Sequence, residues 1–184
     1  MEGLIIYKSK YGATQQYASW AGQDLRLDIY TCDDLDRSQL NKSNFVVIGS
    51  SVYMGKLIIA DWLKKNAVVL QNKKLFLFIV CATPASETQK RRDIISRNIP
   101  LQLLDRLDIF FLPGRLAINK LSWSDRLFLR MGAWLEKDPA KKKAMQRDIN
   151  EVKKENLLDL INTAGKFTSG PVLPQHTEHL YTII

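Results

Sequence analysis

Two unbroken apolar runs, Phe45-Val46-Val47-Ile48 and Leu75-Phe76-Leu77-Phe78-Ile79-Val80, constrain this chain more than any other feature. A strand with one wet face alternates apolar and polar residues. These runs do not alternate, so both their faces must be covered. Further strand-like runs fall at 3–7, 27–31 and 107–112, and helical patterns alternate with all of them at 13–25, 58–70, 86–104 and 151–164. Alternating strands and helices make βαβ units around a parallel sheet. The predicted fold is α/β: a doubly wound, five-stranded parallel sheet of order 2-1-3-4-5, with a helical insertion after the fifth strand. In that order the ligand crevice lies outside the carboxyl ends of strands one and three.

The segments following the strands fit such a crevice. After the first comes Ser9-Lys10-Tyr11-Gly12-Ala13-Thr14. A hydroxyl- and glycine-bearing turn at a helix start forms an anion cradle, because backbone N–H groups and the helix dipole face it. Ser9 and Thr14 can donate hydroxyl hydrogen bonds, Gly12 lets the backbone approach closely, and Lys10 is near enough to supply charge. The stretch has neither a Gly-Lys-Ser/Thr ending nor GxGxxG, so it suits one phosphate group rather than a triphosphate or a dinucleotide. The same residues also serve as an ordinary helix cap. After the third strand comes Gly49-Ser50-Ser51-Val52-Tyr53-Met54-Gly55-Lys56, and after the fourth Cys81-Ala82-Thr83-Pro84-Ala85-Ser86-Glu87. Tyr53, between flexible neighbours, is placed to stack on a flat ring.

Composition narrows the classes. With 184 residues, the expected organisation is a single domain over 1–168, an insertion at about 116–147 and a mobile tail at 169–184. No apolar run approaches a membrane-spanning length, and Met1 leads straight into a strand pattern, so neither a spanning helix nor a signal peptide is expected. Cys32 and Cys81 end apolar runs without a CxxC motif, which reads as free thiols in a reducing cytoplasm. His176 and His179 lie in the tail, with too few companions to hold a metal. The formal net charge of +8 points to nucleic acid, an anionic membrane surface or an anionic small molecule.

Ser-Lys-Tyr-Gly-Ala-Thr and Gly-Ser-Ser-Val-Tyr-Met-Gly-Lys together resemble the flavodoxin-domain family over roughly residues 1–112, and the resemblance resumes in the final helix. It implies FMN as cofactor. Ser9, Lys10, Tyr11, Gly12, Ala13 and Thr14 would then surround the ribityl phosphate. Ser51, Val52, Tyr53, Met54 and Gly55 would line the isoalloxazine ring, and Ala82 and Thr83 would close its other side.

The insertion contains Ser122-Trp123-Ser124-Asp125-Arg126-Leu127-Phe128-Leu129-Arg130-Met131-Gly132-Ala133-Trp134-Leu135, followed by a basic run that includes Lys141, Lys142 and Lys143. Ser122 or Ser124 can cap a helix whose first turn holds Asp125. On that helix Trp123, Leu127, Met131, Trp134 and Leu135 share one face, with Arg126 and Arg130 on another. The face suits an anionic membrane surface or an apolar partner, and equally a helix docked on its own core. Gly114-Arg115-Leu116, Asp125-Arg126 and Met131 resemble the insertion of menaquinone-dependent protoporphyrinogen oxidases. That resemblance implies a flavin that oxidises a porphyrinogen and passes electrons to a quinone, in the cytoplasm at the inner face of a membrane. Arg115, Arg126, Arg130 and Arg91 or Arg92 would form a basic rim for the porphyrinogen carboxylates. No protein acid or base is expected at the site.

Two other classes compete. An electron carrier of the flavodoxin kind would be acidic around its flavin, which the +8 charge opposes. A nucleic-acid-binding module would use the basic insertion, but no recognised motif accompanies it, so no nucleic-acid partner is expected.

Overall fold

In the computed structural model, which describes residues 2–135, 138, 142 and 147–168, the apolar runs form the centre of a parallel sheet. The elements follow in order: β1 (Gly3–Lys8), α1 (Ala13–Leu25), β2 (Asp28–Thr31), α2 (Arg37–Lys42), β3 (Phe45–Tyr53), β4 (Lys56–Leu57), α3 (Ala60–Leu70) and β5 (Lys74–Cys81). Then come α4 (Thr88–Asn98), α5 (Leu101–Leu104), β6 (Leu107–Pro113), β7 (Arg115–Leu116), α6 (Trp123–Leu135), β8 (Ile149–Asn150) and α7 (Leu158–Thr168). The parallel strands run β2-β1-β3-β5-β6, which is the predicted 2-1-3-4-5 order once the short antiparallel β4 is set aside.

Side-chain alternation along the strands makes two cores. Leu4, Ile6, Val46, Ile48, Leu75 and Leu77 face one side, against Leu63, Ala67 and Leu70 of α3 and Ile94 of α4. Ile5, Phe45, Val47, Phe76 and Phe78 face the other, against Tyr17, Ala18 and Ala21 of α1 and Leu160 and Ala164 of α7. Every one of these residues is buried, as strands covered on both faces require.

Three local departures have clear causes. The helix predicted over 86–104 is broken, because Ile99 precedes Pro100 and takes an extended conformation (φ −105°, ψ 128°). The short α2 lies outside the predicted helices and rests on a capping box. In it Asp36 accepts from the Ser38 N–H at 3.1 Å, and Gln39 accepts from the Asp36 N–H at 3.2 Å. The third departure concerns the expected loop at 49–56. Strand β3 continues through Tyr53 and folds back as a hairpin onto β4, pairing Val52 with Leu57 and Tyr53 with Lys56. Met54 and Gly55 turn the chain, both with positive φ (50° and 75°). Ser51, Val52 and Tyr53 are therefore strand residues, and Asn98 braces the hairpin by accepting from the Leu57 N–H at 3.0 Å and donating to the Gly55 carbonyl at 3.1 Å.

The excursion after β6 is closed at its base. Strands β7 and β8 pair antiparallel, and the Glu151 N–H donates to the Gly114 carbonyl at 3.1 Å. Among the described residues, no helix is long and apolar enough to cross a membrane. Both cysteines are free, and burial pushes the Cys32 thiol up to about 12, so it stays protonated. The tail at 169–184, with His176 and His179, and the lysines Lys141 and Lys143 lie outside the described residues.

Candidate functional site

The cradle forms where β1 delivers the chain to α1. Gly12 sits immediately before α1 in the left-handed conformation (φ 82°, ψ −11°), and no side chain caps the helix. A residue with a Cβ is strained at that φ, so glycine is what lets the turn tighten here. The Ser9 hydroxyl oxygen accepts from the Gly12 N–H at 3.1 Å, which holds the turn and leaves the Ser9 proton free to point elsewhere. Ala13 and Thr14 are buried in the first turn. Thr14 is 0% exposed, yet its Oγ1 has no hydrogen-bond partner. A buried hydroxyl without a partner costs about 1–3 kcal/mol, and an anion seated on the helix start would remove that cost. The donor set fits a phosphate, with two hydroxyls and an uncapped helix N-terminus.

The two other segments arrive at the same end of the sheet. Val52 and Tyr53 are half-buried, whereas Met54 is exposed at the hairpin tip. Ala82 and Thr83 follow β5, where the Arg91 Nη2 donates to the Thr83 carbonyl at 3.1 Å.

The insertion contributes a group that the sequence reading did not assign to the site. Asp125, with a side chain only 6% exposed, accepts from the Tyr11 hydroxyl, accepts from the Tyr53 hydroxyl at 2.5 Å, and pairs with the Lys10 ammonium at 2.8 Å. The Lys10 Nζ also lies 3.5 Å from the centre of the Tyr53 ring, a cation–π contact. Burial alone would raise the Asp125 pKa, but the bonds from Lys10, Tyr11 and Tyr53 together hold it well below the usual carboxylate range. Burial likewise opposes the charge on Lys10, and its bonds to Asp125 and Tyr53 outweigh burial and raise its pKa. Both groups are charged at neutral pH.

This geometry corrects three expectations. A carboxylate does stand at the site, carried by α6, whose start Ser122 caps by accepting from the Asp125 N–H at 3.2 Å. The Lys10 ammonium is directed to Asp125 and Tyr53 rather than to the apex of the cradle. The cation beside the apex is Arg115, whose Nη2 lies 3.5 Å from where a Cβ on Gly12 would stand. The basic rim is also thinner than expected. Arg126 donates to the Leu121 and Asn119 carbonyls, and Arg91 stacks on Phe111 at 4.6 Å. Arg92, Arg115 and Arg130 are exposed.

Helix α6 meets the domain through the buried Asp125, just after the buried Leu121 that precedes the helix, and turns its apolar face outward. Trp123 is 80% exposed and Trp134 77%, with Leu127, Phe128, Met131 and Leu135 exposed beside them. These side chains lie on the surface rather than in the two cores of the domain.

A doubly wound sheet with an anion cradle at its switch point defines a class of ligand-binding domain. The flavodoxin domain family matches residues 4–143, and the chain belongs to that family. Membership implies a flavin cofactor. An uncharacterized protein of Methanocaldococcus jannaschii, MJ0298, is 25% identical over 95 residues, which span 51% of this chain and 63% of that protein. Among solved structures, a flavodoxin from the domain Archaea is 15% identical with a TM-score of 0.40, covering 70% of this chain and 90% of its own. A flavodoxin, WrbA-like protein from Agrobacterium tumefaciens is 17% identical with a TM-score of 0.41, covering 69% and 91%. The azoreductase AzrA is 9% identical with a TM-score of 0.46, covering 92% and 99%.

Proposed function

We propose that this chain is an FMN-dependent oxidoreductase that passes electrons from a porphyrinogen to a quinone. The observation that carries the cofactor assignment is Thr14, a fully buried hydroxyl without a partner at an uncapped helix start. Ser9, Tyr11, Gly12, Ala13 and Thr14 would hold the ribityl phosphate. Ser51 to Gly55 would line one side of the ring, and Ala82 and Thr83 the other. Bound FMN supplies hydride and electron chemistry that side chains lack. The protein's part is to orient the ring, exclude water and set the local charge. The finer choice of donor and acceptor rests on the resemblance of the insertion, and the outward apolar face of α6 supports an apolar, membrane-borne acceptor.

The test is reoxidation of the reduced, FMN-loaded protein by a water-soluble menaquinone analogue, with a porphyrinogen as donor. Alongside it, the protein is sedimented with anionic vesicles. Turnover is expected, together with vesicle association that weakens as salt rises from about 0.05 to about 0.5 M, because the Debye length over which the adjacent cations act shrinks from about 14 Å to about 4 Å. Bound FMN with no quinone reduction and no vesicle association would favour an electron carrier without a substrate of its own.

A further inference from the structure

The contact that joins the insertion to the cradle is ionic and half-buried, with the Asp125 side chain 6% exposed and the Lys10 side chain 36%. The Asp125 carboxylate holds the hydroxyls of Tyr11 and Tyr53, one from each cofactor-facing segment, and pairs with the Lys10 ammonium. Lys10 in turn lies against the Tyr53 ring at 3.5 Å. We propose that Asp125 is a positioning residue that fixes Tyr53 and neutralises Lys10, so that the insertion sets the reduction potential of the bound flavin. The inference rests on the FMN reading above.

A ring stacked on Tyr53 lies within the ~8 Å over which physiological salt leaves charges largely unscreened, and the partly water-excluded crevice strengthens the interaction further. Two-electron reduction places negative charge on the flavin ring, so a nearby cation favours the reduced form and a nearby anion opposes it. Lys10 and Asp125 at 2.8 Å act on the ring as a nearly balanced pair. Removing either member leaves the other uncompensated. The two removals must therefore shift the potential in opposite directions, which loosened packing would not produce. Asp125→Asn keeps the shape and an acceptor for a tyrosine hydroxyl but removes the negative charge. Lys10→Met keeps the length of the stem but removes the positive charge.

The experiment is a spectroelectrochemical titration of FMN-loaded wild type, Asp125→Asn, Lys10→Met and the double variant, with FMN affinity measured for each. Asp125→Asn is expected to move the two-electron potential positive and Lys10→Met to move it negative. The double variant is expected to return towards the wild-type value. Potentials that stay put, or that move the same way in both single variants, overturn the proposal while leaving FMN binding intact. A wild-type chain that binds no FMN overturns the cofactor reading and this inference together. Should Asp125→Asn not fold, Lys10→Met decides alone: a negative shift supports the balanced pair, and an unchanged or positive shift refutes it.

Discussion

Replacing Ser9 and Thr14 together by alanine weakens FMN binding by about 10²–10⁴-fold. The figure follows from two hydroxyl donors to a phosphate dianion, each worth about 1.5–3 kcal/mol when the partner is charged, at about 1.4 kcal/mol per factor of ten. Thr14 is expected to carry the larger share. Its Oγ1 is fully buried and without a partner, so its hydrogen bond to the ligand replaces nothing. Ser9 already accepts from the Gly12 N–H at 3.1 Å, so its loss also loosens the turn. The check is calorimetric titration of wild type, the single variants and the double variant with FMN. An unchanged affinity in the double variant would place the phosphate elsewhere. Because Thr14→Ala removes a buried polar atom without a partner, the ligand-free protein should unfold at the same temperature or slightly higher.

Phe78→Ala has the largest expected effect on stability, a loss of about 3–5 kcal/mol, the usual range for emptying a buried aromatic site. Phe78 is 0% exposed in central strand β5. Its ring meets Tyr17 of α1 edge-on, with centroids 6.4 Å apart at 71°, so the cavity would open between the sheet and the helix that carries the cradle. Tyr17 is itself tied down, donating to the Pro113 carbonyl at 2.9 Å and accepting from Asn156 at 2.7 Å. These bonds keep α1 from collapsing into the void, which favours the upper part of the range. For a chain of this size the loss corresponds to a fall in Tm of roughly 6–20 °C. Differential scanning calorimetry measures it, and a fall of only one or two degrees would show that the sheet repacks.

How far the sequence spoke depends on the range of the interactions involved. The sheet order was legible because it follows from strands buried on both faces, and continuous apolar runs such as 75–80 announce that locally. The strand-to-helix turn was legible for the same reason: Ser9, Gly12 and Thr14 lie within six positions of one another, and such a turn has few ways to be built. At 49–56 the glycine and serines carry loop-like turn chemistry, whereas the hairpin that forms there is braced by Asn98, more than forty residues away. Asp125 is the clearest case. In sequence it is an acidic residue in the first turn of a helix, favourable to the dipole and unremarkable. Its partners Tyr53 and Tyr11 stand 72 and 114 positions away, and no local pattern encodes such a meeting. Excising the insertion would disturb the segments that follow β1 and β3, because both tyrosines and Lys10 would lose their common partner.

If the Ser9–Thr14 turn is a phosphate cradle for FMN, the ligand-free, unmodified protein will distinguish FMN from riboflavin, which shares the ring and lacks the phosphate. Titration is expected to give saturable binding of one FMN per chain, with riboflavin weaker by at least about 10²-fold, the contribution of two charge-assisted hydroxyl bonds. Equal affinities for the two flavins, or no binding of either, would contradict the cradle.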